Sequence, residues 1–280
     1  MEISAKDVNL LRQQTGAGMM DCKKALVEAE GDFEKAIELL RKKGQKIAAN
    51  REGREAKEGS VFVKTSGDDS TVAMIELNCE TDFVARNDDF QALGEVLAAL
   101  ALANSPADID AFKAMTMADG RAVSEHLTEA MGRIGEKIDV RKFAIVTGEK
   151  IVSYIHPGAR VGVTVAFSGV DSTANFDMIA RDIAMQIAAM KPLGVDKDDV
   201  PSDLIEKEIE IGMELARAEG KPEGMLEKIA QGKLQKFFKE NTLLHQEFVK
   251  DNSKTVAQYI KDNLGADAKV LTFKRIAIGS

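Results

Sequence analysis

Apolar and polar positions along the chain predict a mixture of short helices and short strands. Residues 1–43 contain three stretches of helical spacing. The pairs Ser4–Asp7 and Gly31–Asp32 and the single residue Asp21 are placed to cap or separate these stretches. The two glycines of Thr15–Met20 permit a tight turn between the first two helices. We therefore predict a small three-helix domain at the N-terminus.

A change of composition follows this domain. Arg41–Lys57 holds seven Lys or Arg residues against two Glu residues, a net charge of +5. Such a run is typical of a solvated tether, and we predict a basic linker over residues 44–57. A phosphate-binding role is the alternative, although no aromatic residue interrupts the run as in a single-strand nucleic-acid binder.

Beyond the linker the spacing alternates between strands and helices. Val61–Thr65 and Val72–Leu77 predict a hairpin, and a helix follows from Phe90, with Asp88 or Asp89 placed to cap it. The later segments are a helix with Val123, Leu127, Met131 and Ile134, the strands Val140–Thr147, Ile151–Ile155 and Val161–Phe167, a helix with Phe176, Ile179, Ile183 and Ile187, and a last strand Val270–Ile278.

One order of elements occurs twice. Strand, polar loop, phenylalanine and amphipathic helix follow one another from Val72 and again from Val161. This repetition predicts two related α+β halves, each a small sheet covered by helices on one side. A chance similarity is the alternative, because strand–loop–helix is a common arrangement.

A charged helical stretch, Ser202–Glu240, lies before the last elements of the second half. Ser202 and Asp203 can cap it, and Gly220–Pro222 divides it into two arms. Its narrow apolar stripe predicts an αα-hairpin that packs on its own second arm or on another subunit. The predicted fold is α+β, with a three-helix domain at 1–43, a linker at 44–57, one core subdomain at 58–139, a second at 140–190 and 241–280, and the hairpin at 191–240.

Composition and charge narrow the class of protein. The net charge of −8 argues against a global nucleic-acid binder. Cys22 and Cys79 cannot form a disulfide framework, and no metal-ligand spacing occurs. The longest apolar run, Val96–Ala103, is too short to span a bilayer, and the N-terminus lacks the apolar core of a signal peptide. We expect a reduced cytoplasmic protein that uses no metal or cofactor.

Candidate catalytic groups are few. His126 and His245 have no partner in the sequence pattern, whereas His156 lies in a Pro–Gly turn between two predicted strands. The sequence contains no P-loop, nucleophile elbow or zinc-protease motif. We therefore expect no enzymatic activity.

Two apolar side-chain sites are candidates for protein contacts. Asp82 and Phe83 connect a predicted strand to a predicted helix, so Phe83 either enters another protein or folds back onto the local core. Met19 and Met20 follow a glycine turn, where they either contact an apolar groove of a partner or pack inside the three-helix domain. Two such sites on one chain favour a protein-binding module.

Three motifs resemble those of a known family. LRQQTGAGMMDCKKAL (Leu11–Leu26), NCETDFVARN (Asn78–Asn87) and YIHPGARVGV (Tyr154–Val163) are similar to bacterial elongation factor Ts, the guanine-nucleotide exchange factor of elongation factor Tu. The resemblance covers nearly the whole chain in the same order. It implies an N-terminal domain similar to ubiquitin-associated domains, a core of two related α+β subdomains, and an inserted helical hairpin called the dimerisation domain.

The resemblance also implies roles for individual residues. Thr81–Val84 is expected to intrude beside the nucleotide site of elongation factor Tu, dislodge its Mg²⁺ and so loosen GDP. Residues 191–240 are expected to allow self-association. Some members of the family have a C-terminal helix with further contacts, and these are not carried over because this sequence stops at Ser280, soon after the last predicted strand. The other expected partner contacts are Leu11, Met19, Met20 and His156.

Two other functions remain open from the sequence. An RNA-binding accessory factor would use Arg41–Lys57 and would bind RNA with a steep salt dependence. A small-molecule enzyme would need an apolar pocket with convergent polar groups, which a sequence does not display. We expect neither a membrane nor a nucleic acid to be a direct partner.

Overall fold

The computed structural model describes residues 3–170 and 175–280. The helices within these ranges are α1 (Ala5–Thr15), α2 (Met19–Glu28), α3 (Phe33–Arg51), α4 (Asp82–Ala85), α5 (Asp88–Asn104), α6 (Ile109–Ala114), α7 (Val123–Ile134), α8 (Phe176–Met190), α9 (Ser202–Ala218), α10 (Glu223–Asn241) and α11 (Val256–Leu264). The strands are β1 (Glu58–Thr65), β2 (Thr71–Cys79), β3 (Asp139–Thr147), β4 (Lys150–Ile155), β5 (Val161–Ser168), β6 (Glu247–Phe248), β7 (Asp251–Thr255) and β8 (Lys269–Ala277). The predicted α+β class is confirmed.

The residues cluster into two compact units. The first comprises the chain up to Lys64 together with Ala73–Phe143 and Ile276–Ser280. The second comprises Thr65–Val72 and Ala144–Arg275. The three N-terminal helices therefore belong to the same unit as α4–α7, and α8–α11 belong to the other. The finer division into five segments stays a prediction.

The N-terminal helices begin largely as the sequence predicted. Ser4 and Asp7 form a capping box on α1, and the Asp32 carboxylate accepts a hydrogen bond from the Lys35 amide at the start of α3. The prediction that Asp21 caps α2 was wrong: Gly18 is the N-cap and makes no side-chain hydrogen bond. Asp21 lies one turn later, where its carboxylate pairs with Lys43.

Helix α3 is longer than predicted. It continues to Arg51, so residues 44–51 are helical where the sequence predicted a linker. The reason is a close crossing with α7: Gly44 is buried, and a Cβ atom added to Gly132 of α7 would lie 2.5 Å from the Gly44 Cα. Lys46 lies on the exposed side of this packed helix, and Arg51 at its end pairs with Glu80, so the charge of the stretch does not indicate an extended chain.

The two predicted halves have the same topology. One sheet has the order β1-β2-β3 and the other β4-β5-β8, and in each the central strand is followed by the next helical element in the chain. In the second, β4 and β5 pair antiparallel from Lys150↔Phe167 to Ile155↔Gly162. The polar loop predicted before α8 includes residues 171–174, which lie outside the described residues.

Each sheet has a helix packed on it. In the first unit, Phe62 of β1 and Phe90 of α5 have ring centroids 6.4 Å apart, and the absence of a side chain at Gly94 makes room for the Phe62 ring. In the second unit, the core contains alternate residues of β5 with the apolar face of α8, including Val163, Val165, Phe167, Ile179, Ile183 and Ile187.

The predicted αα-hairpin is formed by α9 and α10. A Cβ atom on Gly212 would lie 3.1 Å from the Ala230 Cα, so the two arms pack closely on each other. The apolar stripe is therefore largely covered by the second arm, while Ile211, Leu215 and Met225 remain exposed. The predicted cap by Ser202 or Asp203 was wrong, because Pro201 is the N-cap. Within the described residues, no helix is long and apolar enough to cross a membrane.

Candidate partner-binding site

Phe83 is the most exposed large apolar side chain among the described residues, at 81%. It lies on α4, a single helical turn directly after β2. Thr81 is the N-cap of this turn, and its hydroxyl accepts a hydrogen bond from the Val84 amide at 3.4 Å. The alternative in which Phe83 folds back onto the local core is wrong.

The local core is filled by neighbouring residues instead. Ala85 is the buried side of α4, and Phe90 is fully buried at the start of α5. Asn87 caps α5 by accepting hydrogen bonds from the Asp89 and Phe90 amides, where the sequence predicted Asp88 or Asp89 as the cap. Helix α4 is a single turn, and α5 begins three residues after it ends. Only Ala85 of α4 is buried, and Phe83 points to solvent.

Asp82 has a different environment from Phe83. Its carboxylate pairs with Arg86 at 2.9 Å across one helical turn; the Arg86 side chain is largely exposed and that of Asp82 about half exposed. Surface pairs of this kind contribute little to stability, about 0.3–0.5 kcal/mol. Asp82 is therefore available for contact with a partner at small cost.

The backbone before Phe83 is held by Glu136, which follows α7. One Glu136 carboxylate oxygen accepts hydrogen bonds from the amides of Glu80 (3.1 Å) and Thr81 (3.0 Å). The other accepts a hydrogen bond from the Thr81 hydroxyl at 2.7 Å. Three hydrogen bonds accepted by one carboxylate thus fix the entry to the Thr81–Val84 turn.

Glu80, which follows β2, also joins this part of the chain to the residues that follow α7. Its carboxylate accepts a hydrogen bond from the Lys137 amide at 2.7 Å and two from Arg51, at 2.8 and 2.9 Å. Arg54 lies 3.5 Å away. Although burial opposes its ionisation, the Lys137 N–H and the two guanidinium groups lower the pKa of Glu80, so it stays a carboxylate at neutral pH.

Cys79 precedes this turn, and its thiol is unreactive near neutral pH. Its side chain is fully buried, and its thiol donates to the Thr81 carbonyl at 3.1 Å. Burial, reinforced by the charge of Glu136, raises the pKa of the Cys79 thiol to about 12. A thiol with such a pKa is not a nucleophile near neutral pH, so Cys79 serves as a small packing residue.

The N-terminal contact residues predicted from the sequence have different environments. Met19 is 54% exposed and Met20 63% exposed, both at the start of α2, so the alternative of core packing is wrong. Leu11 is fully buried with Val8, Cys22 and Leu26. Leu11 is therefore unavailable to a partner in this structure, and its place is in the core beneath the methionines' helix.

His156 lies on the turn between β4 and β5 in the second unit. It is exposed, and its Nδ1 lies 2.9 Å from the Tyr154 hydroxyl. The Thr81–Val84 turn, Met19 and Met20 are in the first unit. Each of these exposed residues is available for contact with another molecule.

The other histidines have partners that the sequence pattern did not reveal. His126 Nε2 lies 3.0 Å from the Asp119 carboxylate, and His245 Nδ1 lies 3.0 Å from the Thr242 hydroxyl. The Thr242 hydroxyl is buried and donates to the Phe238 carbonyl at 2.7 Å, so it is not presented as a nucleophile. Among residues 3–170 and 175–280, no group of three or more His, Cys, Asp or Glu residues is arranged to hold a metal ion.

The chain is similar to known proteins over its whole length. The family model described as elongation factor TS matches residues 80–280. The chain is 51% identical over 280 residues to elongation factor Ts of Amoebophilus asiaticus, covering 100% of both sequences. It is 50% identical over 245 residues to elongation factor Ts of Cytophaga hutchinsonii (88% of each chain) and 49% identical over 278 residues to that of Christiangramia forsetii (99% of each chain).

Proposed function

The chain belongs to the elongation factor Ts family, and on this premise we propose that it is the guanine-nucleotide exchange factor of elongation factor Tu. The observation that carries the proposal is Phe83, an 81% exposed aromatic side chain on a turn whose backbone is held by carboxylates. Such a side chain is suited to enter a partner without a change in its own fold. Exchange by this route needs no covalent step, so we assign no catalytic residue.

In the proposed mechanism, the Thr81–Val84 turn enters elongation factor Tu beside its nucleotide and displaces the Mg²⁺ of that protein. Mg²⁺ requires near-ideal octahedral oxygen ligands, so small shifts of those ligands weaken its binding sharply. Since the ion neutralises phosphate charge, its loss loosens GDP. Asp82 adds a negative charge close to the site and orients the turn.

Apolar burial supplies the driving force. Moving a phenylalanine side chain from water into an apolar pocket is worth roughly 1.5–3 kcal/mol. Phe83 has nearly all of that burial still to gain, because it is exposed in the free protein. The exchange factor and GDP must then weaken each other's binding to elongation factor Tu equally, because coupling between two sites is reciprocal.

Met19 and Met20 of the first unit and His156 of the second are further proposed partner contacts. Methionine side chains adapt to irregular apolar grooves, which suits the exposed pair at the start of α2 for docking away from the nucleotide. His156 is assigned to a partner contact from the turn between β4 and β5. Leu11 is left out, since it is buried in the three-helix core.

Pairing of the basic residues favours this role over RNA binding. Of the seven Lys and Arg residues in Arg41–Lys57, five form ion pairs within the chain. Their charge is therefore already balanced in large part, which disfavours a phosphate-binding tract. The proposed role in translation places the protein in the cytoplasm.

Self-association through residues 191–240 is part of the proposal. It is favoured by the apolar residues that the α9–α10 packing leaves exposed, Ile211, Leu215 and Met225. It is a separate property from exchange, because these residues lie on the hairpin and not on the turn that carries Phe83.

The decisive experiment is release of labelled GDP from elongation factor Tu in the presence of excess unlabelled nucleotide. Catalytic amounts of the chain should accelerate release, and excess Mg²⁺ should oppose the acceleration. An unchanged release rate at every concentration of the chain would overturn the proposed function.

A further inference from the structure

We propose that Glu136 is a positioning residue that holds the Thr81–Val84 turn in its contact-ready geometry. The inference rests on the proposed function of that turn. Neither the three sequence motifs nor the composition points to Glu136, which lies 53 residues beyond Phe83 in the chain. Its role follows from what its carboxylate touches.

The residues that follow β2 and the residues that follow α7 are joined by two glutamates, and each carboxylate accepts hydrogen bonds from the other segment; we call this arrangement the clamp. Glu136 accepts from the backbone amides of Glu80 and Thr81 and from the Thr81 hydroxyl, while Glu80 accepts from the backbone amide of Lys137. Hydrogen bonds to an ionised acceptor are roughly twice as strong as neutral ones. The Glu136 and Glu80 carboxylates are partly shielded from water, which preserves that strength.

Two helix ends converge on this clamp. Glu136 comes directly after Gly135, the left-handed C-cap of α7, and Arg51 is the last residue of α3. The helices cross where Gly132, in the last turn of α7, meets Gly44, which lies about two turns before Arg51. The position of the Glu136 carboxylate is thus set by the packing of two helices and not by a mobile loop.

A fixed turn binds a partner more tightly than a mobile one. Ordering the backbone of a residue costs roughly 1–2 kcal/mol, and a turn that is ordered before binding does not incur that cost on association. If only a fraction of molecules carries the competent turn, the apparent dissociation constant rises by the inverse of that fraction. Loss of the clamp should therefore raise the concentration of factor needed for half-maximal exchange, while the rate at saturation is retained.

Three substitutions of Glu136 and one control substitution test this prediction. Glu136→Ala removes all three acceptor contacts, and we expect the half-saturating concentration to rise about tenfold. Glu136→Asp keeps the charge but is one methylene too short, and should resemble Glu136→Ala. Glu136→Gln can keep the amide contacts through its carbonyl oxygen and donate to the Thr81 hydroxyl, and should restore most of the affinity.

Glu125→Ala is the matched control. Glu125 lies in the first turn of α7 and accepts from the Ala122 amide at 3.1 Å, so its loss weakens the same helix at its other end. We expect Glu125→Ala to lower thermal stability without changing the half-saturating concentration. Hydrogen exchange of the Glu80 and Thr81 amides should accelerate in Glu136→Ala and Glu136→Asp but not in Glu125→Ala.

The outcomes separate this inference from the proposed function. A wild-type half-saturating concentration in Glu136→Ala, or an equal rise in Glu125→Ala, would overturn the role of Glu136 while leaving the function of Phe83 intact. If Glu136→Ala does not fold, the half-saturating concentrations of Glu136→Asp and Glu136→Gln are compared instead, and equal values would overturn the role of Glu136. Wild-type GDP release by Phe83→Ala would instead overturn the function of the turn, and this inference with it.

Discussion

Gly44 of α3 and Gly132 of α7 meet asymmetrically where the two helices cross. A Cβ atom on Gly132 would lie 2.5 Å from the Gly44 Cα, whereas one on Gly44 would have its nearest contact, the Gly132 Cα, at 3.5 Å. The first distance is a clash with backbone, and the second is an ordinary van der Waals contact. One glycine is therefore required by the packing and the other is not.

This asymmetry predicts opposite effects of the same substitution. Gly132→Ala should destabilise the protein by about 1–3 kcal/mol, because the helices must separate to admit the methyl group. Gly44→Ala should be neutral or stabilising by up to about 1 kcal/mol, since alanine favours helix and has room. Denaturant unfolding followed by circular dichroism measures both.

Gly232→Ala is the control for helix propensity. Gly232 lies in α10 with nothing within 4 Å of an added Cβ atom, so its substitution should stabilise by a similar amount to Gly44→Ala. Equal destabilisation by Gly132→Ala and Gly44→Ala would contradict the described crossing.

Phe83→Ala should separate binding from folding. The side chain is exposed, so we expect an unchanged melting temperature, where loss of a core phenylalanine would cost roughly 3–5 kcal/mol. The coupling to elongation factor Tu should weaken by about 2 kcal/mol or more, as for a desolvated aromatic anchor. Equilibrium titrations give that coupling from the ratio of the GDP dissociation constants with and without saturating factor, and stopped-flow release of fluorescent GDP gives the loss of rate.

Leu271→Ala is a suitable control for Phe83→Ala. Leu271 is 52% exposed on β8 and has no proposed contact, so its loss should leave GDP release unchanged. Asp82→Ala should give a milder defect than Phe83→Ala, because it removes a charge and an exposed ion pair but no apolar burial. A larger defect in Asp82→Ala than in Phe83→Ala would show that the charge of Asp82, and not the apolar burial of Phe83, has the main role in exchange.

Met19→Ala combined with Met20→Ala should weaken docking without unfolding. Both side chains are exposed, so the melting temperature should stay within about 1–2 °C, and affinity for nucleotide-free elongation factor Tu should fall by about tenfold or more. Isothermal titration calorimetry measures the affinity. Point substitutions are preferable to deletion of residues 1–43, since that boundary cuts through α3. Wild-type affinity would remove the methionines from the contact surface.

The chain has two tyrosines, so substitution of one isolates the ionisation of Tyr259 in an absorbance titration. Burial first, and then the hydrogen bond and charge of Asp182, raise the pKa of Tyr259 from its usual value of 10.0 to about 12. The tyrosinate absorbance difference between wild type and Tyr259→Phe should therefore appear only near pH 12. Because the folded pKa is the higher one, the stability linked to this group is fully present below pH 10.0 and is lost as the pH rises through 12.

Asp182→Asn tests the cause of that shift. The Tyr259 hydroxyl donates to an Asp182 carboxylate oxygen at 2.9 Å, and removal of the charge should lower the pKa of Tyr259 while burial keeps it above 10.0. A titration of Tyr259 at its usual pKa in the wild-type protein would contradict the described packing.

Leu215→Glu should disrupt self-association through the hairpin. Leu215 is 50% exposed on α9, so a charge there is solvated in a monomer but costly in an apolar interface. Sedimentation velocity should show a shift toward monomer, with GDP release unchanged. An identical sedimentation profile would remove this face of the hairpin from the proposal.

Much of the fold was predictable because the chain uses strong local signals. The strands β4 and β5 and the helices α8, α9 and α10 follow apolar periodicity closely, and the capping box of Ser4 and Asp7 marks the first helix. The sequence analysis missed α6, α11 and the short β6–β7 pair. Helix α11 carried a local signal, the cap Thr255 and the inward residues Val256, Ile260 and Leu264 at helical spacing, and could have been predicted. The β6–β7 pair has too few residues for periodicity to reveal it.

The site was predictable only in part. The exposed residues Phe83, Met19 and Met20 lie in motifs, but the sequence left their orientation open. Leu11 belongs to the same motif as the methionines and is buried, because motif membership does not distinguish packing from contact. Glu136 gave no local signal, since its three hydrogen bonds join segments 55 and 56 residues apart.

A stiff helix changes how two weak contacts combine. The 19 residues of α3 span roughly 28 Å and lead from the methionines' domain to the base of the turn that carries Phe83. On a flexible tether, a second contact would form at the modest effective concentration set by a wandering chain. On a helix, the proposed docking of Met19 and Met20 would deliver Phe83 to one location. Two contacts that are weak alone would then bind strongly together, and loss of either one would release the factor for its next round.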